Sequence, residues 1–252
     1  MLFKEKEPGT GSDRESSDKE EPQLYPGLTP EELRAALAFA EKKLQLVGSV
    51  TRHDVLNQLT AIVGYNELLG MMIEDPKLKT YLERERHAVD KIRRQFQFAK
   101  DYQNIGAAPF AWLPLRQLIH QAGEEADLRP IQILDETGPA SVFADPQFVK
   151  VIIQILDNTR RHGIRATRIR IFLQDGPAGG TQLIFEDDGE GIPAGDKTKI
   201  FERGFGKGTG WGLFLAREIL EFCGMSIRES GEPGKGARLV ITLPEEKIRK
   251  NG

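Results

Sequence analysis

The chain has 252 residues, 39% apolar and 29% charged, enough for one large or two modest domains. Lys and Arg number 35 against 38 Asp and Glu, and the net charge of −3 lacks the basic excess of a dedicated nucleic-acid binder. The single cysteine, Cys223, excludes an internal disulfide or a thiolate zinc cluster. No apolar run approaches the roughly 20 residues of a membrane span, and none forms a signal-peptide core, so a cytoplasmic chain without membrane contact is expected.

Residues 1–28, rich in Glu, Lys, Ser, Asp, Pro and Gly, offer almost nothing to bury and are expected to be disordered. Residues 29–106 are glycine-poor and periodic. Thr29, Pro30 and Glu32 make a helix start with a capping box. Leu33, Leu37, Ala40, Leu44 and Val47 follow at helical spacing, Gly48 and Ser49 weaken the pattern, and it resumes after Arg52. Val55, Leu59, Ile62, Asn66, Leu69 and Ile73 then form a coiled-coil-like seam with one polar position. Leu56, Val63, Leu68 and Met72 broaden it to the width that a four-helix bundle requires. After a turn at E-D-P-K, residues 74–77, a second helix carries Leu78, Leu82, Val89, Ile92, Phe96 and Ala99. A lone hairpin of this kind leaves its apolar face uncovered, and pairing with a second copy closes the bundle, so a homodimer is expected. The alternative is that the stripe packs on the chain's own C-terminal domain.

His53 lies off the seam, toward solvent, with Asp54 beside it and Asn57 one turn on. A neighbouring carboxylate favours a tautomer with the proton on one ring nitrogen, leaving the other free as a nucleophile. On these few residues alone, a solvated surface histidine with an ordinary acidic neighbour is the favoured reading.

Residues 107–247 read as a mixed α/β domain. V-I-I-Q-I-L-D-N-T-R-R-H-G, 151–163, is an amphipathic helix with Asn158, Arg161 and His162 at its polar end. They offer an amide oxygen for a metal, a cation for phosphates and a flat ring for a base, although a charged helix end before a glycine cap explains them too. Strand-like runs at 168–174 and 181–186 lead into D-D-G-E-G-I-P, 187–193. Asp187 at the strand end can accept a purine amino group while Gly189 and Gly191 let the backbone turn closely; an acidic turn is the plainer reading. In G-F-G-K-G-T-G-W-G-L, 204–213, glycine recurs at alternate positions and runs into a helix, so backbone N–H groups can close on phosphates. The run is not a Walker A loop, because Gly208 follows Lys207, and it has no G-x-G-x-x-G register.

Taken in order, these segments resemble the catalytic core of a two-component sensor histidine kinase. The resemblance covers about residues 45–245 and rests on four boxes. These are S-V-T-R-H-D-V-L-N-Q-L-T, Q-I-L-D-N-T-R-R-H-G, D-D-G-E-G-I-P and I-F-E-R-G-F-G-K-G-T-G-W-G-L. It implies a helical hairpin forming a dimeric four-helix bundle, followed by an α/β sandwich ATP-binding domain of the gyrase, chaperone and histidine-kinase superfamily. His53 would be the phospho-acceptor, Asp54 its general base, and Asn57 the residue that positions water in dephosphorylation. Asn158 would ligate Mg²⁺ between the ATP phosphates and Asp187 would read the adenine amino group. Arg161, His162, Arg203, Lys207 and Thr209 would lie around the nucleotide, with Gly189, Gly191, Gly208, Gly210, Gly212 and Leu213 shaping its turns and lid.

The chain departs from the family at Arg161, where lysine is common, at Thr159, where a small alanine is usual, and in a short lid. Gln154 stands where hydrolases of the superfamily carry a water-activating glutamate, which implies ATP binding without efficient hydrolysis. The phosphoryl group would pass from His53 to an aspartate of a response regulator, within one chain or across the dimer. A phosphatase-biased or scaffold role and a stand-alone ATPase are the competing readings. No input module is present in the sequence, so either the input is a separate protein or the chain is the core of a longer one.

Overall fold

The computed structural model describes residues 29–176, 180–206 and 210–250. The expected disorder of residues 1–28 lies outside that set, as do Lys207, Gly208 and Thr209 of the lid. The chain divides into two compact units, residues 1–47 and 48–252.

In the first unit the sequence signal for a helix start is realised. Glu32 N–H donates to Thr29 Oγ1 at 3.2 Å, and Thr29 N–H returns a bond to Glu32 Oε2 at 2.8 Å. This capping box opens α1, Pro30–Met72. Leu33, Leu37, Phe39 and Leu46 are exposed along it; the side chains of Leu44 and Val47 lie outside the described set.

In the second unit α1 continues through Gly48 without a break, and the expected weakening there is not a helix boundary. A helical glycine costs only about 1 kcal/mol relative to alanine. Here a Cβ on Gly48 would come within 2.5 Å of the Gln103 amide, a side chain that also accepts from Arg52 Nη1 at 3.1 Å. Asp75 caps α2, Pro76–Gln103, through a 2.8 Å bond to Lys77 N–H. The polar seam position is used: Asn66 Nδ2 donates to the Leu82 carbonyl at 3.1 Å and to Glu85 at 3.3 Å. Only Leu59 and Val89 are buried among the hairpin's described apolar side chains, while Ile62, Leu68, Leu69, Met71 and Met72 stay exposed. The stripe is therefore not covered by the chain's own C-terminal domain.

The α/β domain follows as β1 (Ala111–Pro114), α3 (Leu115–Ala126), β2 (Gln132–Glu136), β3 (Ala140–Ala144), α4 (Phe148–His162), β4 (Arg168–Asp175) and β5 (Thr181–Asp187). It is completed by α5 (Gly212–Phe222), β6 (Ser226–Glu229), β7 (Arg238–Leu243) and β8 (Ile248–Lys250). The main sheet has the order β2-β4-β5-β7-β6, antiparallel except for β2 with β4, and β1-β3-β8 form a second, antiparallel sheet. Alternation along β4 turns Ile169 and Ile171 inward and Arg168 and Arg170 outward. On α4, Phe148, Val151, Ile152, Ile155, Leu156 and Thr159 are buried at helical spacing, which leaves Asp157, Asn158 and Arg161 on the other face. Ile152, Ile155, Ile171, Leu183, Phe185, Ile219 and Ile241 share one core with them.

Asp145 ties the connector to this core. Its Oδ2 accepts Gly106 N–H at 2.8 Å, and its Oδ1 accepts Gln147 N–H at 2.7 Å ahead of α4. No helix among the described residues is long and apolar enough to cross a membrane.

Candidate active site

His53 stands on α1 with 74% of its side chain exposed, as its place off the seam predicts. Its Nδ1 lies 3.2 Å from Asp54 Oδ1, and the Asn57 amide nitrogen stands 3.3 Å from Nδ1 and 3.4 Å from Nε2. With the proton on Nδ1 donated to Asp54, the Nε2 lone pair faces solvent and the Asn57 amide. This is the tautomer in which Nε2 is a nucleophile. The local i, i+1 and i, i+4 relations of a helix suffice to assemble the cluster.

A cavity of about 660 Å³ lies in the α/β domain at the polar end of α4, where Gln154, Asp157, Asn158, Arg161 and His162 form one wall. Gly191, Ile192 and Asp196 after β5, and Phe205, Gly210, Gly212 and Leu213 leading into α5, form two more. Gly191, at φ +72°, would press a Cβ on the Gly236 carbonyl. Gly210 has φ +66° and would press a Cβ into the Gly204 and Phe205 backbone. A Cβ on Gly212 would meet the Gln154 amide oxygen, so the first turn of α5 lies directly against the Gln154 side chain of α4. Arg161 Nε is held by Asp157 Oδ2 at 2.5 Å, and Arg160 pairs with the other oxygen of Asp157 at 2.6 Å. Arg203 stacks over Trp211 at 5.1 Å and does not line the cavity.

Asp187 closes β5 and is 6% exposed. Its Oδ1 accepts Gly189 N–H at 3.0 Å and Ala237 N–H at 2.9 Å, and its Oδ2 accepts the Thr159 hydroxyl at 3.0 Å. The carboxylate thus lies between Thr159, which follows the wall residue Asn158, and Gly189, two residues before the wall residue Gly191. Gly189 packs against the Gly163 carbonyl, to which a Cβ would approach within 2.8 Å. The adjacent Asp188 is held below the usual carboxylate range. Burial works against its ionisation but is outweighed by the Thr167 hydroxyl and the N–H groups of Thr167 and Arg168.

Two parts of the site escape the sequence reading. The first is the loop after β6, where a Cβ on Gly236 would collide with the Asp187 carbonyl. Nearby, Lys197 at the base of the lid pairs at 2.9 Å with Glu229, whose side chain is fully buried. The glycines of S-G-E-P-G-K-G-A, 230–237, are the signal that could have located it. The second is the fourth cavity wall, supplied by Arg94, Gln97, Phe98 and Asp101 of α2. Phe98 meets Trp211 edge-on at 4.5 Å, and the Tyr102 hydroxyl donates to Glu218 at 3.1 Å, which raises the Tyr102 pKa. His53, Asp54 and Asn57 are not on this cavity's wall; the chain carries two separate chemical clusters.

Residues 144–247 match the family of histidine kinase-, DNA gyrase B- and HSP90-like ATPases, and this defines the class of the C-terminal domain. The signal transduction histidine-protein kinase AtoS of Escherichia coli K12 is 29% identical over 237 residues, 88% of this chain and 38% of that protein. The alginate biosynthesis sensor protein KinB of Pseudomonas aeruginosa is 39% identical over 104 residues, 39% of this chain and 17% of that protein. Full-length ShkA, solved in complex with AMPPNP, shares the fold with a TM-score of 0.54 at 20% identity, over 78% of this chain and 45% of that one. Over most of its length, hairpin and α/β domain alike, the chain is similar to sensor histidine kinases. It spans about two-fifths of the length of AtoS.

Proposed function

We propose that the chain is an ATP-dependent protein histidine kinase that phosphorylates its own His53 and passes the phosphoryl group to an aspartate of a response-regulator receiver domain. The observation that carries this reading is the pairing, in one chain, of an exposed His53–Asp54–Asn57 cluster with a cavity built by an ATP-binding domain.

Asn158 lies on the cavity wall beside Arg161 and His162. Among the described residues no group of three or more His, Cys, Asp or Glu side chains could cage a metal. One amide oxygen with phosphate oxygens and water is a donor set that Mg²⁺ accepts, so the residues fit. Bound there through Asn158, Mg²⁺ would neutralise phosphate charge. Arg161, released from Asp157, adds a cation to the phosphates, and His162 flanks the nucleotide. Asp187 accepts the adenine amino group. Lys207, Gly208 and Thr209 complete the lid.

In the transfer, Nε2 of His53 forms a bond to the γ-phosphorus as the bond from that phosphorus to the β,γ-bridging oxygen breaks, and ADP leaves. The proton on Nδ1 is held by Asp54, which stabilises the positive imidazole as the bond forms. Asn57 holds the ring edge and, in a separate reaction, positions water to attack the phosphorus of the regulator's phospho-aspartate, releasing inorganic phosphate and the free aspartate. Because His53 does not line the cavity, the α/β domain has to turn on the hairpin, or meet the histidine of a second copy, for transfer. The exposed row Ile62, Leu68, Leu69 and Met72 is the surface a second copy covers in a four-helix bundle.

The test is incubation of the full chain with γ-labelled ATP and Mg²⁺. Acid-labile, base-stable label is expected on the wild type and at least about 10³-fold less on His53→Gln, with ATP affinity unchanged within about twofold. Acid-stable label, or label that survives His53→Gln, overturns the assignment.

A further inference from the structure

The oxygens of Asp187 can be accounted for one by one. An ionised carboxylate has about four acceptor positions, two on each oxygen. Both positions on Oδ1 are taken by the N–H groups of Gly189 and Ala237, at 3.0 and 2.9 Å. Oδ2 accepts the Thr159 hydroxyl at 3.0 Å, and no other described side chain bonds to Asp187. One acceptor position therefore remains, and it is on the oxygen that Thr159 holds. Thr159 is 3% exposed and follows Asn158 directly on α4, so the same helical turn presents the candidate metal ligand and orients this carboxylate. An alanine at this position would leave Oδ2 without its protein donor.

We propose that Thr159 is a base-positioning residue whose hydroxyl orients Asp187 so that the remaining acceptor on Oδ2 selects a purine carrying a 6-amino group. The inference rests on the nucleotide-binding reading of the cavity and deepens it. A 6-oxo purine presents a carbonyl to that oxygen and is repelled; a purine with hydrogen at position 6 makes no bond there and is indifferent to how the carboxylate is held.

The experiment is calorimetric binding of ADP and of purine riboside diphosphate, which lacks the amino group, to the full chain and to Thr159→Val, Thr159→Ser and Thr159→Ala. Valine keeps the shape and removes the donor; serine keeps the donor. Thr159→Val is expected to weaken ADP about tenfold, the worth of a hydrogen bond to a charged group. It should leave purine riboside diphosphate within about twofold, and Thr159→Ser should retain the wild-type ADP affinity. Circular dichroism of each ligand-free variant checks folding, and Thr159→Ala is read in the same way should the valine variant fail to fold. Unchanged ADP affinity in the donor-less variants, or equal weakening of both ligands, overturns the role of Thr159 while the cavity remains a nucleotide site. A wild-type chain that binds neither ligand overturns the nucleotide reading and the inference together.

Discussion

The hairpin and the α/β domain reach stability by opposite routes. In the α/β domain, apolar side chains from three helices and the main sheet fill one core, and residues such as Phe148, Ile152, Ile171 and Ile219 are fully buried. In the hairpin, Leu59 and Val89 alone are buried among the described apolar residues, and Leu68, Leu69, Met71 and Met72 face outward. The chemistry divides along the same line. His53 is exposed and assembled by helical spacing alone, whereas Asp187 is buried and bonded to segments 28 and 50 residues away. The α/β domain completes its core within the chain, whereas the hairpin leaves its apolar face open.

The largest expected contrast tests this division directly. Phe185→Ala removes a fully buried ring and should cost about 3–5 kcal/mol in thermal or denaturant unfolding. Leu68→Ala, at a side chain 57% exposed, should change monomer unfolding by no more than about 0.5 kcal/mol. Its effect should appear instead as a higher dimer dissociation constant in sedimentation experiments. A Leu68 effect as large as that of Phe185 at low concentration would abolish the contrast.

The glycines give the next contrast. Gly236 has φ +106° and faces the Asp187 carbonyl, so Gly236→Ala should destabilise the α/β domain by about 3 kcal/mol and weaken nucleotide binding. On α1, Gly64 meets nothing within 4 Å, and Gly64→Ala should stabilise the helix by about 0.5–1 kcal/mol. Unfolding curves of the two variants should move in opposite directions.

The smallest effect is electrostatic. The Asp188 pKa is lowered on folding, so its stabilising contribution is present above the unfolded carboxylate value of about 3.9 and is lost as pH falls through the lower folded value. Asp188→Asn should lower the thermal midpoint near neutral pH and flatten its decline below about pH 4. A variant with an unaltered acid limb would show that these donors contribute nothing to stability.

The sequence made the local features legible. The Thr29 capping box, the polar break at Asn66, the strands leading to Asp187 and the helix ending at Gly163 all follow from near neighbours. Gly48 misled because its packing partner, Gln103, lies on the other helix. Ala237 was invisible for a similar reason: it reaches Asp187 only because β5 and β7 pair with Glu186 opposite Arg238. The α2 wall of the cavity, with Phe98 against Trp211, depends on tertiary contact between segments more than 100 residues apart, which no periodicity reports.

The clamp on the connector carries a mechanical consequence. α2 ends at Gln103, and the N–H of Gly106 is already fastened to Asp145. Between those anchors stand only Asn104 and Ile105, whose N–H groups are bonded back to the Lys100 and Tyr102 carbonyls at 3.2 and 3.3 Å. On so short a leash the α/β domain cannot drift away from the hairpin; it can only pivot at Asn104 and Ile105. Its reach is then an arc of fixed radius, and lengthening the leash would exchange a defined swing for diffusion.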